Sequence, residues 1–317
     1  MATVLTTSRA FATCYKAQEV LKNAGLDINI ITPSKPLQSD ELVKLVNNVD
    51  AIIAGLDFID DKVIKAASPM LKIIARNGVG YDRVDLKSAS ENNVYVTITP
   101  GTNSISVCEL AFSLMTGLSR KVHLMDSYVR EGSWKREPGI ELFGKTIGIL
   151  GTGAIGKNLA LRCLAFGMNV IAYDLYPDKE LIEKYHVKYV NDPQEIYQVA
   201  DFISLHLPAV KQTHHMINKQ SIDLMKKDVF IINTSRGELI DDDALYEALV
   251  TNRIKGAGLD VFTMEPFTDQ RFFKLNNVIL TPHSGAFTQE ATEKTLIMAA
   301  KEVVRVLSGE KPLHPVN

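Results

Sequence analysis

The sequence holds little of what marks a membrane protein, a disulfide framework or a nucleic-acid binder. Its 317 residues include three cysteines, Cys14, Cys108 and Cys163, widely spaced and without a neighbouring Cys or His at metal-ligand intervals. That excludes a disulfide scaffold, suggests no metal site and leaves the three as reduced core residues. No apolar run approaches the ~18 residues that cross a bilayer; the longest, such as 229–232, look like buried strands. The first nine residues lack a basic stretch followed by a long apolar core, so no secretion signal is expected and the chain is assigned to the cytoplasm. Thirty-five Lys plus Arg oppose thirty-seven Asp plus Glu for a net charge of -2, and no segment gathers its cations into a phosphate-tracking patch. Neither nucleic acid nor an anionic membrane is therefore an expected partner. With 46% hydrophobic and 23% charged residues the composition is that of an ordinary globular protein, and the length suggests two domains, each with its own core.

What is present is an alternation. Short β-branched runs at 28–31, 51–54, 71–74 and 94–98 are separated by helical stretches, the pattern of a small doubly wound unit whose parallel strands are buried on both faces. A second series contributes six strands, at 146–150, 169–173, 202–205, 229–232, 256–259 and 278–280. Between them, residues 103–118 carry Ile105, Leu110, Ala111, Leu114, Met115 and Leu118 at helical spacing, and a last helix is read over 288–307.

Gly151-Thr152-Gly153-Ala154-Ile155-Gly156 follows one of these strands and opens a helix. In that setting Gly151 makes the tight turn, Gly153 lets a pyrophosphate approach the backbone, and Gly156 lets helix and strand pack, while the helix N-terminus offers free N–H groups to the anion. Asp174 ends the next strand, eighteen residues beyond Gly156, where a carboxylate accepts from the adenosine ribose hydroxyls. It would repel a 2′-phosphate, and Leu175 and Tyr176 supply no cation to accommodate one, so NAD rather than NADP is expected.

A dinucleotide that exchanges hydride needs a proton shuttle and a substrate clamp beside it. Arg236 directly follows the 229–232 strand, and its planar guanidinium suits a carboxylate together with the neighbouring carbonyl. His283 follows the last strand and is the natural acid/base for a carbinol proton near neutrality. Glu265 follows the 256–259 strand, where a carboxylate can tune and orient the imidazole and stabilise its protonated form. Singly these residues could be a loop ion pair, a turn histidine and a solvated acid; their shared placement after strands of one sheet makes the combination informative.

With these motifs in order, joined by Thr234-Ser235-Arg236-Gly237-Glu238-Leu239-Ile240-Asp241, Leu259-Asp260-Val261-Phe262 and Thr281-Pro282-His283-Ser284-Gly285, the sequence resembles the D-isomer-specific 2-hydroxyacid dehydrogenases over nearly its whole length. The resemblance implies an α/β fold of two doubly wound parallel-sheet domains. One is a flavodoxin-like substrate domain of residues 1–100 plus 287–317, the other a Rossmann NAD-binding domain of residues 101–286. It implies Arg236, Glu265 and His283 as the catalytic triad. Around the cofactor it places Ala154, Ile155, Leu207, Pro208, Thr234, Ser235, Asp260 and Ala286 beside the glycines, Arg236 and His283, with Asp260 near the carboxamide. It makes Arg76-Asn77-Gly78-Val79-Gly80 the substrate loop, whose N–H groups around Val79 and Gly80 receive the carboxylate. It also makes the helix at 103–118 part of a homodimer interface; an apolar stripe alone would equally suit an internal core helix.

Among relatives, the segments 76–85, 99–104 and 144–151 look most like the short phosphoglycerate dehydrogenases, which oxidise 3-phospho-D-glycerate to 3-phosphooxypyruvate at the start of serine biosynthesis. Ala54-Gly55-Leu56-Asp57 supplies no arginine where some members hold the substrate phosphate, which leaves Arg76 as the nearby cation. The alternatives are a glyoxylate or hydroxypyruvate reductase and, from another class, a corepressor that uses NAD binding to drive assembly. The intact triad argues against the latter.

Overall fold

A computed structural model describes all 317 residues. The chain divides into one compact unit of Met1–Asn103 with Ala286–Asn317 and another of Ser104–Gly285.

The first unit is built on five parallel strands, β1 (Thr3–Thr6), β2 (Asp27–Ile30), β3 (Ala51–Ala54), β4 (Ile73–Arg76) and β5 (Tyr95–Thr97), in the order β2-β1-β3-β4-β5. Every residue of β3 and β4 is buried, as β-branched strands covered on both faces require. Helices Tyr15–Asn23 and Gln289–Leu307 lay Leu21, Leu296, Ala299 and Val303 against Val4, Ile53 and Ile73 on one face. Helices Asp61–Ala67 and Leu86–Glu91 bring Val63, Ile64 and Ala89 over Leu5, Ile52, Ile74 and Val96 on the other. Their starts are fixed by carboxylate caps, Asp60 accepting from Val63 N and Asp85 from Ser88 N, the usual remedy for unbonded first-turn amides.

The second unit carries seven parallel strands, β6 (Thr146–Leu150), β7 (Asn169–Tyr173), β8 (Lys188–Tyr189), β9 (Phe202–Leu205), β10 (Phe230–Asn233), β11 (Gly256–Leu259) and β12 (Val278–Leu280). They run in the order β12-β11-β10-β9-β6-β7-β8. The direction of winding reverses between β6 and β9, and open sheets of this kind bind ligands outside the carboxyl ends of their strands at that crevice. The helix predicted at 103–118 spans Ser104–Arg120 and turns Ala111, Leu114, Met115 and Leu118 into this unit's own core. Its apolar stripe thus covers the sheet, a Cβ added at Gly258 lying 2.9 Å from Leu114 Cβ, while Ile105 stays 46% exposed. No helix of either unit is long and apolar enough to cross a membrane.

Two strands have no counterpart in the sequence reading. β1, an interior strand of its sheet between β2 and β3, carries only Val4 and Leu5 between threonines, and β8 is a two-residue edge strand. Observed strands also start or stop one to two residues from their expected places, so that β4 includes Arg76 and β10 includes Asn233.

Candidate active site

At the end of β6 the chain turns sharply through Gly151, whose φ of +96° belongs to the region that only glycine adopts without strain. A Cβ there would sit 2.7 Å from the carbonyl oxygen of His206, and one at Gly156 would sit 2.0 Å from that of Gly151. The turn is therefore closed against both the neighbouring strand and the helix it opens. Gly153, at the N-cap of helix Ala154–Ala165, has nothing within 4 Å of its Cβ position; the space above the helix's first amides is open, as an anion cradle needs. Asp174, just past β7, accepts at Oδ2 from Thr152 N (2.6 Å) and Thr152 Oγ1 (3.2 Å) and at Oδ1 from Tyr176 N (2.8 Å).

Along the same strand ends, Asn233 closes the turn that carries Arg236. Its side chain, 1% exposed, donates to Arg236 O at 2.8 Å and accepts from Ser235 N at 3.0 Å. Ser235 Oγ donates to Leu207 O at 2.5 Å, tying the turn to the loop after β9. Arg236 is half-buried, with Nη1 donating to Ser235 O at 2.7 Å. Gly237 is the next contact, since a Cβ on it would lie 2.0 Å from Phe262 C; no larger residue lets the arginine turn reach the loop that leads to Glu265.

After β12 the chain folds back at His283, which adopts φ +51°. Its Nδ1 lies 2.9 Å and 3.0 Å from the two carboxylate oxygens of Glu265. A carboxylate only accepts, so Nδ1 carries the proton and the neutral ring keeps its lone pair on Nε2, the nitrogen able to take a proton from a substrate. Asp260, 1% exposed, holds this turn. Its Oδ1 accepts from Thr281 Oγ1 (2.6 Å), Ser284 N (2.8 Å) and Ser284 Oγ (3.3 Å), and its Oδ2 from Gly285 N (2.8 Å). The side chain expected near a carboxamide is thus engaged in shaping the histidine turn. Ala286 follows in the chain as the first residue of the other unit's second segment.

In the first unit, the segment 76–80 leaves β4 at the carboxyl edge of its sheet. Asn77 Nδ2 donates to Ser8 Oγ at 2.9 Å, and Gly78 N donates to Thr99 Oγ1 at 3.1 Å. Arg76 is 4% exposed and its Nε donates to Gly80 O at 3.0 Å, so the guanidinium braces the loop from within. The N–H groups of Val79 and Gly80 have no acceptor in the chain.

Comparison with known proteins decides the family. The profile described as D-isomer specific 2-hydroxyacid dehydrogenase, NAD binding domain, matches residues 112–285. A D-3-phosphoglycerate dehydrogenase of Methanocaldococcus jannaschii is 42% identical over 305 residues, 95% of this chain and 57% of that one. A glyoxylate reductase of Thermococcus litoralis is 41% identical over 285 residues, 87% of this chain and 86% of that one. The chain belongs to the D-isomer-specific 2-hydroxyacid dehydrogenases. It spans just over half the length of the first of these relatives. Among solved structures of the family, D-lactate dehydrogenase with NAD+ from Lactobacillus jensenii superposes with a TM-score of 0.81 at 27% identity, covering 99% of both chains.

The residues present fit the dinucleotide that this family binds. The open cradle at Gly153 is one sign. Another is Thr234, 7% exposed, whose buried Oγ1 has no partner within the chain although it stands between Asn233 and Ser235 at the strand ends, an arrangement that a bound polar group would complete. Cys108 and Cys163 need no role at this site: burial pushes the Cys108 thiol up to about 11 and raises Cys163 as well, which keeps both inert.

Asn233, Thr281 and Thr152 were not singled out in the sequence, although each holds a candidate group in place. His206 borders the glycine turn through its carbonyl. Its Nε2 meets Ser204 Oγ at 2.9 Å while Nδ1 is buried without a partner, and burial pushes it down to about 4 from an ordinary value of 6.5. The folded protein therefore keeps this ring neutral where the unfolded chain would protonate it. Its contribution should be intact above pH 6.5 and decline as the pH falls toward 4, by an amount on the order of 1–3 kcal/mol. Urea midpoints measured across that window should fall less steeply for His206→Gln than for the parent; parallel curves would contradict this.

Proposed function

We propose that the chain is an NAD-dependent dehydrogenase of a D-2-hydroxy acid, with Arg236, Glu265 and His283 as its catalytic residues. The observation that carries the reading is the His283–Glu265 pair, which commits Nδ1 and leaves Nε2 available beside an arginine turn and a dinucleotide cradle on one sheet edge. Bound NAD supplies the hydride acceptor for C2 of the substrate. His283 Nε2 takes the hydroxyl proton as the C2–O bond becomes a carbonyl, and Glu265 stabilises the imidazolium so formed. Arg236 holds the carboxylate and carbonyl oxygens with a planar fork. In the first unit the amides of Val79 and Gly80, which the chain leaves without acceptors, are suited to bind an anion. In the reverse direction the imidazolium returns its proton to the developing alkoxide.

The substrate assigned is 3-phospho-D-glycerate, on the strength of the segments that resemble short phosphoglycerate dehydrogenases and the 42% identity to a longer D-3-phosphoglycerate dehydrogenase. One observation favours a second reading, reduction of glyoxylate or hydroxypyruvate. The guanidinium groups around the carboxyl edge of the first sheet are engaged by main-chain carbonyls, Arg76 with Gly80 O and Arg83 with Leu56 O, and a phosphate dianion binds poorly without a dedicated fork. Steady-state kinetics decide between them. A kcat/KM for 3-phosphoglycerate at least about tenfold above that for D-glycerate, or ~1.4 kcal/mol of discrimination, supports the first reading, and equal values support the second.

The same reading makes the protein a cytoplasmic homodimer. Its three thiols form no disulfide, in keeping with a reducing compartment. Beyond Ile105 the second unit exposes Val122 (55%), Trp134 (86%) and Phe143 (76%), side chains that association would cover. Light scattering at a mass near one 35.1 kDa chain would contradict the dimer.

A further inference from the structure

The side chain that carries cofactor choice in this account, Asp174, is held by a chain of hydrogen bonds that reaches the edge of the sheet. Asp178 N donates to Tyr189 Oη at 3.2 Å, Tyr189 Oη donates to Thr152 Oγ1 at 2.8 Å, and Thr152 Oγ1 donates to Asp174 Oδ2 at 3.2 Å. The direction of each bond is forced. A carboxylate only accepts, so the single Thr152 hydroxyl proton goes to Asp174 and Thr152 Oγ1 must accept the phenolic proton of Tyr189, whose oxygen in turn accepts from Asp178 N. All dipoles therefore point at Asp174, and each bond strengthens the next. Thr152 is 5% exposed, so bulk water competes little for its hydroxyl. With Thr152 N also on Oδ2 and Tyr176 N on Oδ1, Oδ2 is saturated and Oδ1 keeps capacity for a further donor.

A second arrangement in the same segment acts in concert. Lys157, on the first turn of the fingerprint helix, is the cation nearest in sequence to the glycines. Its Nζ is held by Asp178 Oδ2 at 2.9 Å and Glu180 Oε2 at 2.8 Å. Asp178 thus engages the lysine through its side chain and starts the relay through its backbone. A 2′-phosphate would meet a carboxylate held in place and a lysine already paired.

We propose that Thr152 and Tyr189 are positioning residues that fix the orientation of the Asp174 carboxylate, with one oxygen turned to the ribose hydroxyls, and so set the preference for NAD over NADP. This rests on the reading that Asp174 contacts the adenosine ribose. Neither residue touches the cofactor through its relay atoms; they act through the carboxylate. The relay also accounts for β8, a two-residue strand whose pairing of Tyr189 with Ala172 places the phenol beside the end of β7.

The test is equilibrium binding of NADH and NADPH, followed by nucleotide fluorescence, and of ADP-ribose and its 2′-phosphate by calorimetry, on the full chain. Thr152→Val, which keeps the shape and the amide, should weaken NADH and ADP-ribose by about three- to tenfold while leaving the 2′-phosphorylated ligands within about twofold. Tyr189→Phe should do the same to a smaller degree, and Thr152→Ser should restore the parent ratio. Parallel weakening of both kinds of ligand, together with a lower melting temperature, would mean a purely structural role and overturn the proposal. Asp174→Ala separates the two layers. If it narrows the ratio while Thr152→Val and Tyr189→Phe do not, the relay falls and the ribose reading stands. If it leaves the ratio unchanged, Asp174 does not read the ribose and both fall.

Discussion

Replacing His283 with alanine should lower turnover by about a hundredfold or more while NADH affinity changes little, because general acid–base catalysis by a placed imidazole contributes on the order of 10²–10⁴. The structure gives the reason for that magnitude. Glu265 engages Nδ1 through both oxygens, so the ring has one tautomer and one orientation, and no other group at this turn can replace Nε2. The four hydrogen bonds that Asp260 accepts from Thr281, Ser284 and Gly285 hold the turn in the left-handed conformation seen at His283. A variant without the imidazole should keep the turn, and with it the cofactor site. Stopped-flow measurement of the hydride step in His283→Ala checks this; unaltered turnover would remove His283 from the mechanism.

Arg236→Lys should raise KM and lower kcat together, with an expected loss in kcat/KM of about a hundredfold or more, which corresponds to ~3 kcal/mol of transition-state stabilisation. A guanidinium presents parallel donors to a carboxylate and its neighbouring carbonyl, whereas an ammonium is a single hydrated point charge. The turn that carries Arg236 is held in place. Asn233 binds both ends of the segment and Gly237 lets it lie against Phe262. The lysine variant should therefore fold and bind NADH normally, and its defect should appear with substrate. A change confined to cofactor affinity would place Arg236 outside the substrate site.

How much of this could be read in the sequence depends on the range of the interaction concerned. The strands at 51–54 and 202–205 were legible because strands buried on both faces are continuous apolar runs. β1 was not, although it pairs on both sides, because its two apolar residues are flanked by threonines and its burial comes from neighbours on either side. β8 was not, because two residues at an edge leave no periodic trace. The positions of Arg236, Glu265 and His283 could be argued from each following a strand of one sheet. What fixes those residues could not, since Asn233, Asp260, Thr281, Thr152 and Tyr189 act through hydrogen bonds across 2 to 37 residues of chain, and such pairings carry no local spacing rule. Arg76 shows the converse: the sequence offers a cation near the substrate loop, and only the fold shows it buried and bonded to Gly80 O. Thr152 stood in a variable place of the glycine fingerprint, where the motif assigns no chemistry.

The most direct test is to incubate the purified protein with NADH and a panel of glyoxylate, hydroxypyruvate and 3-phosphooxypyruvate, then determine the configuration of the glycerate and phosphoglycerate formed. Oxidation of NADH with formation of the D-hydroxy acid from hydroxypyruvate and 3-phosphooxypyruvate is the outcome the account predicts. Tight NADH binding with no turnover on any of the three, or formation of the L-isomer, would contradict the central claim.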